Sequence, residues 1–233
     1  MTVNPICVAL DTANIARACE LARLLKPHAG YMKIGMEFFY AHGQPGYEAV
    51  AAEGLPIFLD LKLHDIPNTV AAAMKTLMNL SPRPAIVNVH ATGGLGMMTA
   101  AADAVAGRAR VIAVTILTSL SDDDIRAAGF ETAKDTQGHA RSLAELAKRA
   151  GLDGVVCSPH DLIGIRHDLG PDFLTVVPGI RPADAATQDQ KRVATPADAM
   201  KAGADILVIG RAITGAHDPV AAARDIMANL DAR

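Results

Sequence analysis

The sequence predicts a single closed (β/α)8 barrel spanning all 233 residues. Three observations predict it. Short β-rich runs alternate with longer helical patterns from end to end, eight such runs can be counted, and polar residues gather where the runs finish. Strand–helix alternation at this spacing implies parallel strands joined by right-handed crossovers. An open dinucleotide-binding sheet needs a Gly-rich turn after its first strand, and here that turn reads DTANIARA.

The strands are expected at Ile6–Leu10, Tyr31–Ile34, Ile57–Leu61, Ala85–Val89, Arg110–Ile116, Gly154–Cys157, Leu174–Val177 and Ile206–Ile209. Helical patterns fall at Asn14–Leu25, Gly46–Ala52, Pro67–Leu80, Gly94–Ala106, Gln137–Ala150, Pro196–Ala202 and Pro219–Leu230. Asp11 or Thr12 is the expected cap of the first helix, and Thr195-Pro196 supplies an N-cap with proline at N1. Ala-Gly at 150–151 and 202–203 should stop helices before the sixth and eighth strands. Two connections exceed simple turns. Leu117–Thr136 carries Ser121-Asp122-Asp123-Asp124, the expected start of a short extra helix. Residues 179–194, GIRPADAATQDQKRVA, form a polar loop expected to be mobile and to lie over the active face.

Composition narrows the function. Half the residues are hydrophobic but Trp is absent and aromatics make up 3%, so the core must be aliphatic and Ala-rich. A net charge of −3 argues against a nucleic-acid binder working by backbone neutralisation. Cys7, Cys19 and Cys157 have neither metal-ligand spacing nor an even disulfide count. Cys7 and Cys157 sit in apolar runs, as small hydrophobes do. The N-terminus MTVNPICVALD lacks a basic segment followed by a long apolar one, and no run approaches a membrane span. A cytoplasmic protein with no membrane partner is the expectation.

The chemistry concentrates in IFLDLKLHDIPN, residues 57–68. On a strand Asp60 and Lys62 share one face while Ile57, Leu59, Leu61 and Leu63 take the other. Burying such charges costs several kcal/mol per ion unless each is paired, so their place at a strand's C-terminal end points to function. Asp11, Lys33, His90, Thr118, Ser119, Arg181, Gly210 and Arg211 also fall at or just beyond strand ends. In a (β/α)8 barrel all of these converge on the face that carries active sites. Lys33, Asp60 and Lys62 would form an alternating charge line, which read alone also suits a structural ion-pair network. Gly210-Arg211 after the eighth strand suits a phosphate, Gly by permitting close approach and Arg by a bidentate grip. Arg181 and Gln190 on the long loop are candidates for the same anion. Asp65 lies past its strand and need not reach its own barrel centre; a partner subunit would then receive it. His64 and His90 lack matched ligands at metal spacing and read as packed histidines, and no Ser-His-Asp or Cys-His set can be assembled.

The segments VALD (8–11), MKIGMEFF (32–39), FLDLKLHDIPNTV (58–70), NVHATGG (88–94), ILTS (116–119), VVPGIRP (176–182), DQKRVATP (189–196) and VIGRAIT (208–214) occur in this order. Together they resemble the orotidine 5′-phosphate decarboxylase family, bacterial type, over nearly the whole chain. That resemblance implies decarboxylation of orotidine 5′-monophosphate to uridine 5′-monophosphate in de novo pyrimidine biosynthesis, with no metal or organic cofactor. It implies Lys62 as proton donor flanked by Asp60 and Lys33, and a homodimer in which Asp65 and Thr69 come from the other subunit. Asp11, Lys33 and Thr69 would contact the ribose, Thr118 and Ser119 the pyrimidine, and Pro178 would wall the ring pocket. Arg181, Gln190, Gly210 and Arg211 would hold the phosphate. The D-x-K-x-x-D run is shared with metal-dependent decarboxylases of keto-sugar phosphates, but those need metal-binding acids at neighbouring strand ends, where this chain has Lys33. A catalytically silent nucleotide-binding protein would leave the Asp60–Lys62 pair unexplained.

Overall fold

Hydrophobic residues stand on both faces of every central strand, so each strand must be covered twice, once by helices and once by the other strands. The computed structural model, which describes residues 4–181 and 193–231, meets that demand by closing the sheet. The strands are β1 (Ile6–Ala9), β2 (Tyr31–Gly35), β3 (Ile57–Leu63), β4 (Ile86–His90), β5 (Arg110–Val114), β6 (Gly154–Val156), β7 (Leu174–Val177) and β8 (Ile206–Ile209). They run parallel in sequence order, and β8 pairs back onto β1 through Ile6↔Leu207 and Cys7↔Val208. The described helices are α1 (Ile15–Leu25), α2 (Met36–Ala51), α3 (Pro67–Leu77), α4 (Gly94–Val105), α5 (Asp122–Ala127), α6 (Thr136–Arg149), α7 (Leu162–Leu169), α8 (Pro196–Lys201), α9 (Arg211–Thr214) and α10 (Pro219–Asp231).

Two cores follow from the period-2 alternation of the strands. Cys7, Ala9, Phe58, Ile86, Ile112, Leu174, Val176, Ile206 and Val208 fill the barrel interior as one apolar plug. The residues between them, such as Val8, Leu59, Val87 and Leu207, face outward into a larger cluster with the helices. On α1 this partner face is Ala18, Leu21, Ala22 and Leu25, a spacing that lines one side of a 3.6-residue helix. Cys7 and Cys157 are buried and no cysteine is in a disulfide, as their apolar surroundings predict. Burial pushes the Cys7 thiol up to about 12, so it stays an inert small hydrophobe.

The expected elements mostly appear, many with ends shifted by a residue or a few, and the larger differences are these. α1 is capped by Asn14, whose side chain accepts from the Arg17 backbone N–H at 3.0 Å, rather than by Asp11 or Thr12. Asp11 is turned toward Lys33 instead. α2 begins at Met36, ten residues before the expected Gly46, because the chain passes through Gly43 at φ 56° and resumes the helix beyond Pro45. The Gly43–Gly46 stretch reads as a break and is only a kink. α7 was not expected at all; its eight residues are marked by a Ser158–Asp161 capping box in the turn that leads into it. β5 stops at Val114 rather than Ile116, and β3 extends to Leu63 rather than Leu61 through an irregular end described below. The short helix expected in the Leu117–Thr136 connection is α5, with Ser121 accepting from Asp124 N–H and Asp124 accepting from Ser121 N–H. Thr195 caps α8 with Pro196 at N1, and Gly151 and Gly203 follow their helices at positive φ.

Candidate active site

At the C-terminal end of β3 the ladder breaks. Leu59 pairs with Val87 and Leu63 with Val89, so β3 takes four steps where β4 takes two. The extra length is absorbed around Lys62, which adopts φ 52°, a left-handed conformation that residues with a Cβ rarely take. Such backbone outliers cluster at functional sites because the surroundings must hold them there.

The surroundings are a line of charges. Lys62 Nζ donates to Asp60 Oδ1 at 2.7 Å. Asp60 Oδ2 is 3.4 Å from Lys33 Nζ, and Lys33 Nζ donates to Asp11 Oδ1 at 3.2 Å. The two middle members are buried, with 8% of Lys33 and 7% of Asp60 exposed. Burial alone would depress the Lys33 ammonium, but the Asp60 and Asp11 carboxylates outweigh it and raise its pKa. Burial likewise favours a neutral Asp60; Lys33, Lys62 and the hydrogen bonds they accompany hold its carboxyl below the ordinary carboxylate value. Lys33 and Asp60 are therefore both charged at neutral pH, cation beside anion.

Two glycines make room for it. A Cβ on Gly35 would lie 3.2 Å from Lys33 Nζ, and one on Gly210 would lie 3.3 Å from Asp11 Oδ2. Asn88, on β4 and pointing to the same interior as Ile86, adds a second tie. Its Oδ1 accepts from the Lys62 backbone N–H at 2.8 Å and its Nδ2 donates to Asp60 Oδ1 at 2.7 Å. Neither Gly35 nor Asn88 was singled out from the sequence. An asparagine in the inward register directly after Ile86, two residues before His90, is the signal that could have found it.

The line floors a cavity of about 260 Å³ open to the C-terminal face. Its walls bring together Asp11, Lys33, Asp60, Lys62, Thr118, Pro178, Arg181, Gly210 and Arg211, nine of the residues expected there. Arg211 begins α9, whose first turn closes on the Gly210 carbonyl through Ile213 N–H and Thr214 N–H. After the neighbouring strand β7, the ends of the 179–194 connection are tied to each other, Arg181 N–H to the Ala194 carbonyl at 3.0 Å and Ala194 N–H to the Gly179 carbonyl at 3.2 Å. Gln190 and the expected mobility of that loop lie outside the described residues. Ser119 is exposed and does not line the cavity, nor do Asp65 and Thr69. Asp65 Oδ1 accepts from the Ile66 N–H next to it at 2.6 Å. His64 is exposed and its ring packs 5.5 Å from that of His90, which burial, then the neighbouring His64 and Lys62, keep below the ordinary histidine value. Among the described residues no group of three or more His, Cys, Asp or Glu side chains is placed to hold a metal ion.

Fold and site together define a (β/α)8-barrel protein whose C-terminal face presents a fixed ammonium between carboxylates, in a small cavity that arginines also line. Comparison with known proteins narrows that class. Residues 4–226 match the family described as Orotidine 5′-phosphate decarboxylase / HUMPS family, and the chain belongs to it. It is 50% identical over 239 residues to an orotidine 5′-phosphate decarboxylase of Rhodospirillum rubrum, covering 99% of this chain and 95% of that protein. It is 52% identical over 227 residues to one of Novosphingobium aromaticivorans, covering 97% and 99%. Among solved structures, the orotidine 5′-phosphate decarboxylase of Lactobacillus acidophilus superposes with a TM-score of 0.84 at 38% identity, covering 98% of this chain and all of that one.

Proposed function

We infer that the protein decarboxylates orotidine 5′-monophosphate to uridine 5′-monophosphate, a step of pyrimidine biosynthesis, and that Lys62 supplies the proton. The observation that carries the second part is the Lys62 ammonium, 2.7 Å from Asp60 and fixed on a left-handed backbone at the cavity wall.

In the reaction the bond from C6 to the carboxylate breaks, CO₂ leaves and the electron pair stays on C6. A vinyl carbanion there has no good route for delocalisation, so it must be stabilised by charge already in place. Lys62 meets that charge and transfers one proton to C6, and the neutral amine regains a proton from solvent. Asp60, aimed by Lys33, keeps Lys62 directed. Placing Asp60 beside the departing carboxylate would also strain the bound substrate, an effect secondary to the alignment of Lys62.

The rest of the cavity suits the substrate's other parts. Gly210 and Arg211 take the phosphate, helped by Arg181 and by Gln190, which lies outside the described residues. Asp11 and Lys33 meet the ribose hydroxyls, Thr118 and Ser119 the pyrimidine, and Pro178 walls the ring. Asp65 and Thr69 complete the site of a second copy in a homodimer. Their exposure supports this, as does the apolar surface beside them, where Ile66 is 67% and Leu95 40% exposed. No described helix is long and apolar enough to cross a membrane, and three cysteines outside disulfides suit the cytoplasm. The chemistry needs no metal or organic cofactor.

The test is the ultraviolet absorbance change of orotidine 5′-monophosphate in buffer containing EDTA. Turnover to uridine 5′-monophosphate unaffected by the chelator is expected; activity that requires added divalent metal would overturn the cofactor-free reading, and no turnover with or without metal would overturn the activity.

A further inference from the structure

Where β3 bulges against β4, the Lys62 N–H has no regular ladder partner, and a half-buried backbone donor there is satisfied by another group. It finds the side chain of Asn88, which sits on β4 between Val87 and Val89, opposite the extra length of β3. Asn88 is 1% exposed, so both ends of its amide need partners inside the barrel. Both partners are on β3. One is the backbone of Lys62, and the other is the carboxylate oxygen that also receives the Lys62 ammonium.

That sharing has a geometric consequence. With Asp60 Oδ1 taking donors from Asn88 and from Lys62, the carboxylate can rotate little, and Oδ2 stays turned to Lys33. One amide thus fixes the unfavourable backbone turn that aims Lys62 and the anion that Lys62 leans on. We propose that Asn88 is a positioning residue for the reaction: it clamps the β3 bulge and the Asp60 carboxylate together, so that the Lys62 ammonium occupies one place at the cavity wall. The inference rests on the reading that Lys62 delivers the proton. Misplacing a reacting group by about 1 Å can lower a rate about 100-fold, which sets the scale of the effect.

The experiment measures kcat and KM for orotidine 5′-monophosphate, and Kd for uridine 5′-monophosphate, in wild type, Lys62→Ala, Asn88→Leu and Asn88→Ser. Asn88→Leu keeps the branched shape in a somewhat bulkier side chain and removes both bonds; Asn88→Ser keeps a polar group too short to span them. For Asn88→Leu, kcat should fall about 100-fold while product affinity stays within about threefold, because Gly210 and Arg211 grip the phosphate on another wall. Asn88→Ser should show the same split, and it decides the matter if Asn88→Leu does not fold. Retention of kcat within threefold in a folded variant overturns the proposal. So does a parallel loss of kcat and product affinity, which marks general damage to the site, and so does failure of both variants to fold, which marks a structural role alone. The Lys62→Ala enzyme separates the two layers. If it is inactive while the Asn88 variants turn over normally, only the role of Asn88 falls; if it stays within tenfold of wild type, the proton-donor reading itself falls.

Discussion

Lys62 reaches Asp60 at 2.7 Å from a backbone turned to φ 52°, so the ion pair and the strain occur at one residue. The ammonium is aimed at the cost of a conformation that a glycine would take without penalty. This separates what Lys62 does for the reaction from what it does to the fold. Lys62→Ala should abolish turnover while circular dichroism and product binding persist; activity within tenfold of wild type would remove Lys62 from the chemical step. Lys62→Gly should be equally inactive yet more stable than Lys62→Ala by about 1 kcal/mol in urea denaturation, since both lose the ammonium and only one relieves the left-handed backbone.

Asp60 makes the opposite prediction, a residue that serves the fold and the reaction together. Asp60→Asn leaves the Lys33 ammonium buried with the buried one of its two anions gone, and breaking a buried pair from one side typically costs about 3 kcal/mol. The pH dependence follows from the direction of the shift. Because the folded state holds the Asp60 carboxyl below its unfolded value, its contribution is present above the ordinary carboxylate range and is lost as pH falls through the folded pKa. Acid denaturation monitored below about pH 4 should therefore be less steep in Asp60→Asn than in wild type. An unchanged acid limb would mean that Asp60 does not carry this linkage. Lys33, raised in the folded state, adds stability fully present below its unfolded pKa and lost only as pH rises through the folded one.

Arg211 lines the same cavity as these charges. A charge-assisted contact to phosphate contributes about 1.5–3 kcal/mol, so Arg211→Ala should lower kcat/KM for orotidine 5′-monophosphate by about 10–100-fold. The same substitution should change little for orotidine without its phosphate. Equal losses for the two substrates would reassign Arg211.

The barrel was legible because it is written in repeats. Eight apolar runs separated by helical patterns admit few other arrangements, and polar residues at strand ends such as Asp11, Lys33 and Asp60 stand out against apolar neighbours. What escaped the sequence depends on departures from regular geometry. The alternation rule places Asp60 and Lys62 on one face, which they share, but gives no sign that the strand bulges between Leu59 and Leu63. Without the bulge, Lys62 N–H has a backbone partner and Asn88 has no evident task. Gly35 was equally silent, since its significance is the Lys33 ammonium 3.2 Å from where a Cβ would be. Ser119 shows the converse: next to Thr118 in sequence, it sits outside the cavity that Thr118 lines, because the chain leaves the strand at Val114 and follows no fixed period afterwards.

Asp65 tests the second copy. It is exposed, stands clear of its own cavity and is followed by Ile66, 67% exposed, and Thr69, also exposed. In a twofold dimer each site would take Lys62 from one subunit and Asp65 from the other. Lys62→Ala and Asp65→Ala proteins should each be nearly inactive. Unfolded together and refolded as a mixture, they form hybrids in which one site has lost both residues and the other has kept both. If subunits pair at random, half the dimers are hybrids with one intact site each, so about a quarter of wild-type activity should return. Were Asp65 to act within its own subunit, every site in the hybrid would lack one residue and the mixture would stay inactive even with hybrids verified by differently tagged chains.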